Sequence, residues 1–378
     1  MNTDTQSKTG EQPSYGPIGV TAALHASPSD PAPKPTLFAH EFSLADRVAL
    51  VSGANRGLGL EMALALIEAG ARAVYCVDLA KEPGEEWTKV KEFAGRMQGK
   101  GGEGRLEYLS ANVTDQEAMW KVGETIGDRE GRLDACVAAA GVLKTHTDCL
   151  EYPAKQFQDV MAVNVNGVLF TAQAAGRQMV RFGNGGSIIL VASMSGSITN
   201  KDHAWVSYNS SKSAVLQMGR SMACELGPKK IRVNTLSPGH IYTTMTAAYI
   251  DTQPHLLGKW ASLNPMGRIG RPDELRGVVT WLASDAKTSP ALSRPSVRTQ
   301  DVYGDIPVIT WLESTSYFIP KPPRPVGRPE QTAPADDGRG LRRSLGSLIH
   351  PQTATERRRM HTHPAAQMLT AIGSLGVL

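Results

Sequence analysis

At 378 residues with 41% hydrophobic side chains, the chain is long enough for one large or two ordinary domains around a buried core. Its net charge of +4 is unevenly placed: from Lys287 onward 12 Lys/Arg face 7 Asp/Glu, so the residues before it carry −1. That near-neutral body excludes nucleic-acid binding of the basic-patch kind, and no apolar run is long enough to span a bilayer.

Residues 1–41 are rich in Pro, Ser, Thr and Ala, lack periodicity and include Pro31-Ala-Pro-Lys-Pro35, the composition of a disordered leader. The N-terminus lacks the basic-then-apolar order of a signal peptide, and Lys8 and Lys34 are the only Lys or Arg among the first 46 residues. The four cysteines (Cys76, Cys136, Cys149, Cys224) show no paired spacing and are expected to be reduced thiols. A cytoplasmic location is the simplest expectation.

From Phe42 the pattern changes. Short β-branched runs at 48–51, 73–77, 106–109, 135–138, 187–191 and 231–236 alternate with amphipathic stretches at 58–69, 115–126, 154–165 and 205–225. Near-continuous apolar strands separated by helices predict a parallel sheet covered on both faces, the doubly wound α/β architecture, as a single catalytic domain over 42–286. Residues 287–378 then form an atypical tail, predicted to be mostly disordered apart from an apolar island at 302–311. Its basic run Arg357-Arg-Arg359 reads as a solvated tail, and His361 with His363 lacks the further ligands a metal site needs, so no metal is expected.

Within the domain the first chemical signal is Ser52-Gly53-Ala54-Asn55-Arg56-Gly57-Leu58-Gly59, between the first predicted strand and its helix. Glycines there permit a tight turn and close backbone approach to a pyrophosphate, and the helix N-terminus supplies N–H groups and a positive dipole end. The next strand ends at Asp78, whose carboxylate can accept from ribose hydroxyls and repels a 2′-phosphate. Arg56 argues the other way, because a guanidinium can hold that phosphate; NAD is favoured, with NADP as the alternative. Farther along, Tyr208 and Lys212 lie four apart, on one face of a helix. A phenol titrates near pH ~10, and an ammonium one turn away, with a positive nicotinamide, would bring it toward its working range.

These segments together resemble the short-chain dehydrogenase/reductase family, from about Phe42 to Ala286. Its pieces occur in order: the glycine turn, Asp78, Asn112-Val113, Ala138-Ala-Ala-Gly141, Asn164 in Val163-Asn-Val-Asn-Gly167, Ser193 in Val191-Ala-Ser-Met-Ser-Gly196, the Tyr208/Lys212 pair and Pro238-Gly-His-Ile-Tyr-Thr243. The resemblance implies a Rossmann fold with Tyr208 as general acid/base, Lys212 lowering its pKa and binding ribose, Ser193 holding the substrate oxygen, and Asn164 supporting a water that links Lys212 to solvent. A serine 13 residues before the tyrosine would instead be Ser195; Ser193 is preferred because it sits at the strand end. The implied cofactor contacts are Gly53, Asn55, Arg56, Gly57, Leu58, Gly59, Asp78, Asn112, Val113, Ala140, Gly141, Tyr208, Lys212, Pro238, Gly239, Ile241 and Thr243. Ala138-Ala139 stand where the family usually has Asn-Asn, which removes two polar side chains.

The segment from Pro238 to Asn264 corresponds to the substrate lid, with His240, Tyr242, Met245 and Trp260 as candidate lining residues. Within the family the chain is most similar to the sorbose reductase and arabinitol dehydrogenase branch, which implies a small-molecule substrate, a polyol or ketose, in an NAD-dependent oxidoreductase. An NADPH-dependent ketone or oxoacyl reductase, or a non-catalytic nucleotide-binding protein, are the alternatives. The family's last strand, ending Asp-Gly-Gly, has no counterpart after Ala286, so that strand is expected to be missing or replaced. A homo-oligomer is expected of the family, less so for this altered C-terminus.

Overall fold

The six apolar runs form β1 (Val48–Ser52), β2 (Ala73–Asp78), β3 (Arg105–Ser110), β4 (Ala135–Ala138), β5 (Gly186–Val191) and β6 (Ile231–Ser237) in a computed structural model that describes residues 19–97, 104–144, 148–201, 203–287, 296–298 and 310–311. All six pair in parallel, in the order β3-β2-β1-β4-β5-β6. A short helix α1 (Gly19–His25) precedes them, and α2 (Gly57–Glu68), α3 (Glu85–Gly95), α4 (Gln116–Glu130), α5 (Ala154–Met161), α6 (Val168–Phe182), α7 (Val206–Leu226), α8 (Thr244–Thr252), α9 (His255–Ser262) and α10 (Arg276–Ala283) follow in chain order.

Alternation along each strand assigns its side chains to two cores. Ala49, Val51, Val74, Cys76, Val137 and Ile189 meet α2, α3 and α10 on one face. Val48, Leu50, Tyr75, Val77, Cys136 and Ile188 meet α4, α6 and α7 on the other. Strands apolar on both faces have no wet side, which is why they read as continuous runs rather than as alternating ones. Strand order reverses between β1 and β4, so the loops after their carboxyl ends diverge and leave a crevice there. Helices α8 and α9 add a third, smaller core built on Trp205, Ile250, Leu256, Trp260 and Ile269. No helix among the described residues is long and apolar enough to cross a membrane.

The end of the catalytic region is tied down from three strands. The Arg232 guanidinium of β6 donates to the carbonyls of Leu282 and Ser284, both at 2.9 Å, and Ser187 Oγ of β5 donates to Leu282 O at 2.8 Å. Arg47, just before β1, pairs with Asp285 at 2.5 Å. These contacts satisfy the last carbonyls of α10, which a helix C-terminus otherwise leaves to water.

Two expectations need correction and a third is narrowed. The predicted stretch 154–165 is not one regular helix: α5 passes through a widened π-helical turn, Ala162–Gly167, into α6. The leader, expected to be disordered through residue 41, contains α1 and a second π-helical turn, Leu37–Glu41. Thr36 Oγ1 donates to Glu41 at 2.9 Å, the Phe38 and Phe42 rings lie 5.7 Å apart, and the Leu44 amide donates to Ala69 O at 2.9 Å, which ties the segment after the proline run to the end of α2. Of the two outcomes expected for the last strand, missing or replaced, the described residues show replacement. A three-residue strand, β7 (Ser296–Arg298), pairs in parallel with Thr235–Ser237 of β6, and β8 (Thr310–Trp311), from the end of the apolar island, pairs antiparallel with β7. Arg357–Arg359, His361 and His363 lie outside the described residues.

Candidate active site

The glycine turn adopts the conformation its residues were expected to permit. Gly53 and Gly57 have φ of +68° and +59°, which L side chains rarely adopt. A Cβ on Gly53 would lie 2.7 Å from the Ala140 Cα, and one on Gly59 would lie 2.2 Å from the Gly53 carbonyl oxygen. The loops after β1 and β4 and the first turn of α2 are therefore in backbone contact, with no room for side chains between them. At Gly57 the same construction meets nothing within 4 Å, so the turn faces open space there, at the N-terminus of α2. Arg56 occupies the N-cap position with extended backbone, and Leu58 packs against the core behind it. This is a backbone cradle that a pyrophosphate fits.

Asp78 and Asn55 brace that cradle. Asp78 accepts from the amides of Asn55 at 3.1 Å and Leu79 at 2.8 Å, leaving carboxylate lone pairs for ribose hydroxyls. Asn55 Oδ1 accepts from the Gly84 amide at 2.8 Å, which makes its side chain a strut for the loop after β2. The Arg56 guanidinium has no hydrogen bond or ion pair among the described residues. Asn112 Oδ1 accepts from the amide and hydroxyl of Thr114 at 3.0 and 2.9 Å, closing a turn before α4, while Val113 is buried. The Ala140 amide lies 3.4 Å from Ser52 Oγ, and a Cβ on Gly141 would lie 3.4 Å from Asn164 Oδ1 and 3.5 Å from Lys212 Nζ. Gly141 thus brings the cradle to the catalytic set.

That set converges from three elements. Tyr208 and Lys212 sit one turn apart on α7, and Lys212 Nζ lies 5.6 Å from the Tyr208 ring centre while donating to Val191 O at 2.9 Å. Ser193, on the loop after β5, stands near the Tyr208 phenol, whose pKa it lowers, and its hydroxyl accepts from the Ser195 amide at 3.2 Å. Ser195 is 3% exposed and its hydroxyl donates to Asn200 Oδ1 at 2.7 Å. Asn164 lies in the π-helical turn, and its amide group donates to Val142 O and Ser211 Oγ at 2.9 and 3.0 Å while accepting from the Val142 amide at 2.8 Å. Both of its donor hydrogens are therefore spent, one on the chain after Gly141 and the other on Ser211 of α7.

Electrostatics differ from the sequence expectation in one respect. Burial pushes the Tyr208 phenol up, and the Ser193 hydrogen bond opposes it only in part. Lys212 is itself pushed down to about 8 by burial. Within the protein alone, the ammonium does not bring the phenol down: it points to a backbone carbonyl, and desolvation of the phenolate dominates. A dinucleotide's positive nicotinamide is the further charge this site would need.

Beyond β6, Pro238 O accepts from the Met194 amide at 3.0 Å, and Gly239 leads into Ile241, which is buried and bridges to Gly270. Thr243 caps α8 in a reciprocal pair with Thr246. Of the four expected lid residues, Tyr242 and Met245 are 52% and 50% exposed, whereas Trp260 is 2% exposed. His240 stacks on Trp260 at 4.0 Å, and burial, with His203 adding, pushes it down to about 3, so it is neutral across the working range.

Two residues of this wall escaped sequence reasoning. Trp205 presents an edge-on ring 6.1 Å from Tyr208, and His203 stacks on Trp205 at 4.3 Å. The available signal was the density of aromatic residues, with His203-Ala-Trp205 just before Tyr208 and Tyr249 and Trp260 in the lid.

Known proteins resemble this chain in sequence and fold. The sequence profile of a family described as enoyl-(acyl carrier protein) reductase matches residues 53–289. D-arabinitol 2-dehydrogenase (ribulose-forming) of Candida tropicalis is 32% identical over 252 residues, covering 66% of this chain and 89% of its own. Sorbose reductase of Schizosaccharomyces pombe is 35% identical over 247 residues, covering 65% of this chain and 92% of its own. Among solved structures, a short-chain type dehydrogenase/reductase from Mycobacterium marinum superposes with a TM-score of 0.61 at 33% identity, covering 68% of this chain and 95% of the other. A structure from Agrobacterium tumefaciens with bound NADP superposes with a TM-score of 0.57 at 28% identity, covering 66% and 93%.

Proposed function

This chain belongs to the short-chain dehydrogenase/reductase family, an oxidoreductase family dependent on NAD or NADP, and from that membership we propose that it interconverts a polyol and its ketose, with NAD favoured. The convergence of Ser193, Tyr208 and Lys212 beside the glycine cradle carries this reading. The cradle fits a dinucleotide: Gly53, Gly57 and Gly59 keep its floor free of side chains, and Asp78 stands at the β2 end for ribose. Gly141, Pro238, Gly239, Ile241 and Thr243 complete the surroundings of a nicotinamide, and Asn112 those of adenine. When bound, nicotinamide supplies the hydride acceptor or donor.

The residues divide the remaining work. Tyr208 takes the hydroxyl proton during oxidation and returns it during reduction. Ser193 donates to the substrate oxygen as negative charge develops there. Lys212 holds the ribose and adds positive charge beside the phenol, and Asn164 fixes the chain after Gly141 against α7. With both Asn164 donor hydrogens spent, a water leading from Lys212 to solvent finds on that side chain only the second lone pair of Oδ1. The aromatic wall excludes bulk water, which strengthens each of these interactions.

Purified protein assayed with each dinucleotide against polyols, ketoses and 3-oxoesters tests the proposal. We expect polyol-dependent reduction of NAD, reduced by ~10²–10⁴-fold in Tyr208→Phe while dinucleotide binding persists. Folded, dinucleotide-binding protein that turns over none of them would defeat it. A second reading, an NADPH-dependent ketone or oxoacyl reductase, is favoured by the unpaired Arg56 at the turn, and the same assay separates it by cofactor and substrate. A cytoplasmic location, consistent with the free thiols of Cys76, Cys136, Cys149 and Cys224, and a homo-oligomer of the family type complete the proposal.

A further inference from the structure

We propose that His203 is a positioning residue that clasps both lid helices to the start of the catalytic helix, and so sets how tightly the alcohol or ketone is held without affecting dinucleotide binding. One imidazole meets three elements. Trp260 of α9 donates its indole N–H to His203 Nε2 at 3.2 Å, and the Tyr249 hydroxyl of α8 lies 3.5 Å from Nδ1. The ring stacks on Trp205, the residue before α7, with planes 13° apart, and Trp205 in turn meets the Tyr208 ring edge-on at 70°.

The tautomer follows from the partners. An indole N–H can only donate, so Nε2 carries the lone pair and Nδ1 the proton, directed toward Tyr249. Trp260 is buried between His203 and His240, and water cannot replace the acceptor if His203 is removed. The lid then loses its polar fixed point, while the cradle at Gly53–Gly59, built on different elements, is untouched. Other histidine roles are less well served: ring contacts with Trp205, Tyr249 and Trp260 surround it, and it holds no place in the Ser193–Tyr208–Lys212 set.

The effect on substrate rests on the alcohol–ketone reading, but the clasp can be tested without it. His203→Phe keeps the stacking and removes the acceptor; His203→Gln returns an oxygen near the place of Nε2. Hydrogen exchange should accelerate in residues 244–262 of His203→Phe and stay unchanged in β1 to β6, and His203→Gln should restore most of the protection. In the assay, His203→Phe should raise the KM for the alcohol about tenfold, change kcat by less than about threefold and leave dinucleotide affinity unaltered. Trp260→Phe should cost less when added to His203→Phe than when made in the parent, because the hydrogen-bond share of the loss is common to both and only the packing share remains. Additive losses, exchange that spreads through the sheet, or unchanged lid exchange would each overturn the clasp. If the parent turns over no alcohol or ketone, the function fails while the exchange result still decides the role of His203.

Discussion

Lys212 is buried at 4% exposure, and burial moves its pKa from 10.5 to about 8. Below pH 8 both the folded and the unfolded chain hold the proton, so folding bears the full cost of burying the charge, about 3 kcal/mol. Between pH 8 and 10.5 the folded chain has released a proton that the unfolded chain still binds, and stability rises with pH. In Lys212→Met the cost disappears, but Val191 O loses its donor, at about 1–2 kcal/mol. The variant should therefore be more stable than the parent by about 1–2 kcal/mol at pH 7 and less stable by a similar amount above pH 10.5. Urea titrations of the two proteins across that range check it; a constant difference would mean that Lys212 does not titrate there. At this scale the placing of Tyr208 and Lys212 one turn apart on a single helix was legible, because helix periodicity alone fixes it. The proposed choice of Ser193 over Ser195 was harder to read, since it depends on which hydroxyl the loop turns toward Tyr208, and the partner of Ser195, Asn200, lies five residues beyond it. For His203 the sequence offered only aromatic density: its hydrogen-bond partners lie 46 and 57 residues away, on elements that only the fold brings together.

The glycine turn shows how two residues of one motif fail differently. Gly59 has ordinary helical surroundings but no space, since its Cβ would strike the Gly53 carbonyl, and Gly53 itself rests on Ala140. Gly57 has space but a left-handed backbone. Gly59→Ala should therefore lower stability by about 3 kcal/mol through forced separation of α2 from the β1 loop. Gly57→Ala should cost only about 1 kcal/mol in stability, the strain of alanine at positive φ, but should weaken dinucleotide binding because its methyl occupies the approach to the helix N-terminus. Thermal melting and dinucleotide titration of both variants distinguish these effects; the opposite ordering would contradict the packing described. Elements themselves were legible wherever both faces of a strand are apolar or a helix keeps one stripe. The π-helical turn at 162–167 was not, because Ala-Val-Asn-Val-Asn-Gly continues the helical pattern of α5, and only the pairing of Asn164 with Val142 and Ser211 gives the backbone a reason to widen.

For the whole chain, the question is what closes the sheet beyond β6. Composition put the end of the regular pattern at Ala286, and Arg47, Ser187 and Arg232 tie residues 282–285 to the sheet. What composition could not supply was the replacement strand, because Ser296–Arg298 has no strand-like run of its own and pairs through backbone groups over three residues. Residues up to Thr315 form one compact unit that includes this pairing. A chain ended after Thr315 should therefore melt with the full-length protein. One ended after Ala286 leaves the N–H and C=O groups of Thr235–Ser237 on an open edge beside Leu236, which is fully buried in the core under α10. At ~2–4 °C per kcal/mol for a domain of this size, that chain should melt about 5 °C lower and associate through the exposed edge of β6. Paired melting and light-scattering measurements on the two truncations decide the point. Equal melting would mean that β6 needs no partner there, and that the ties to α10, rather than β7, hold the catalytic half of the sheet in place.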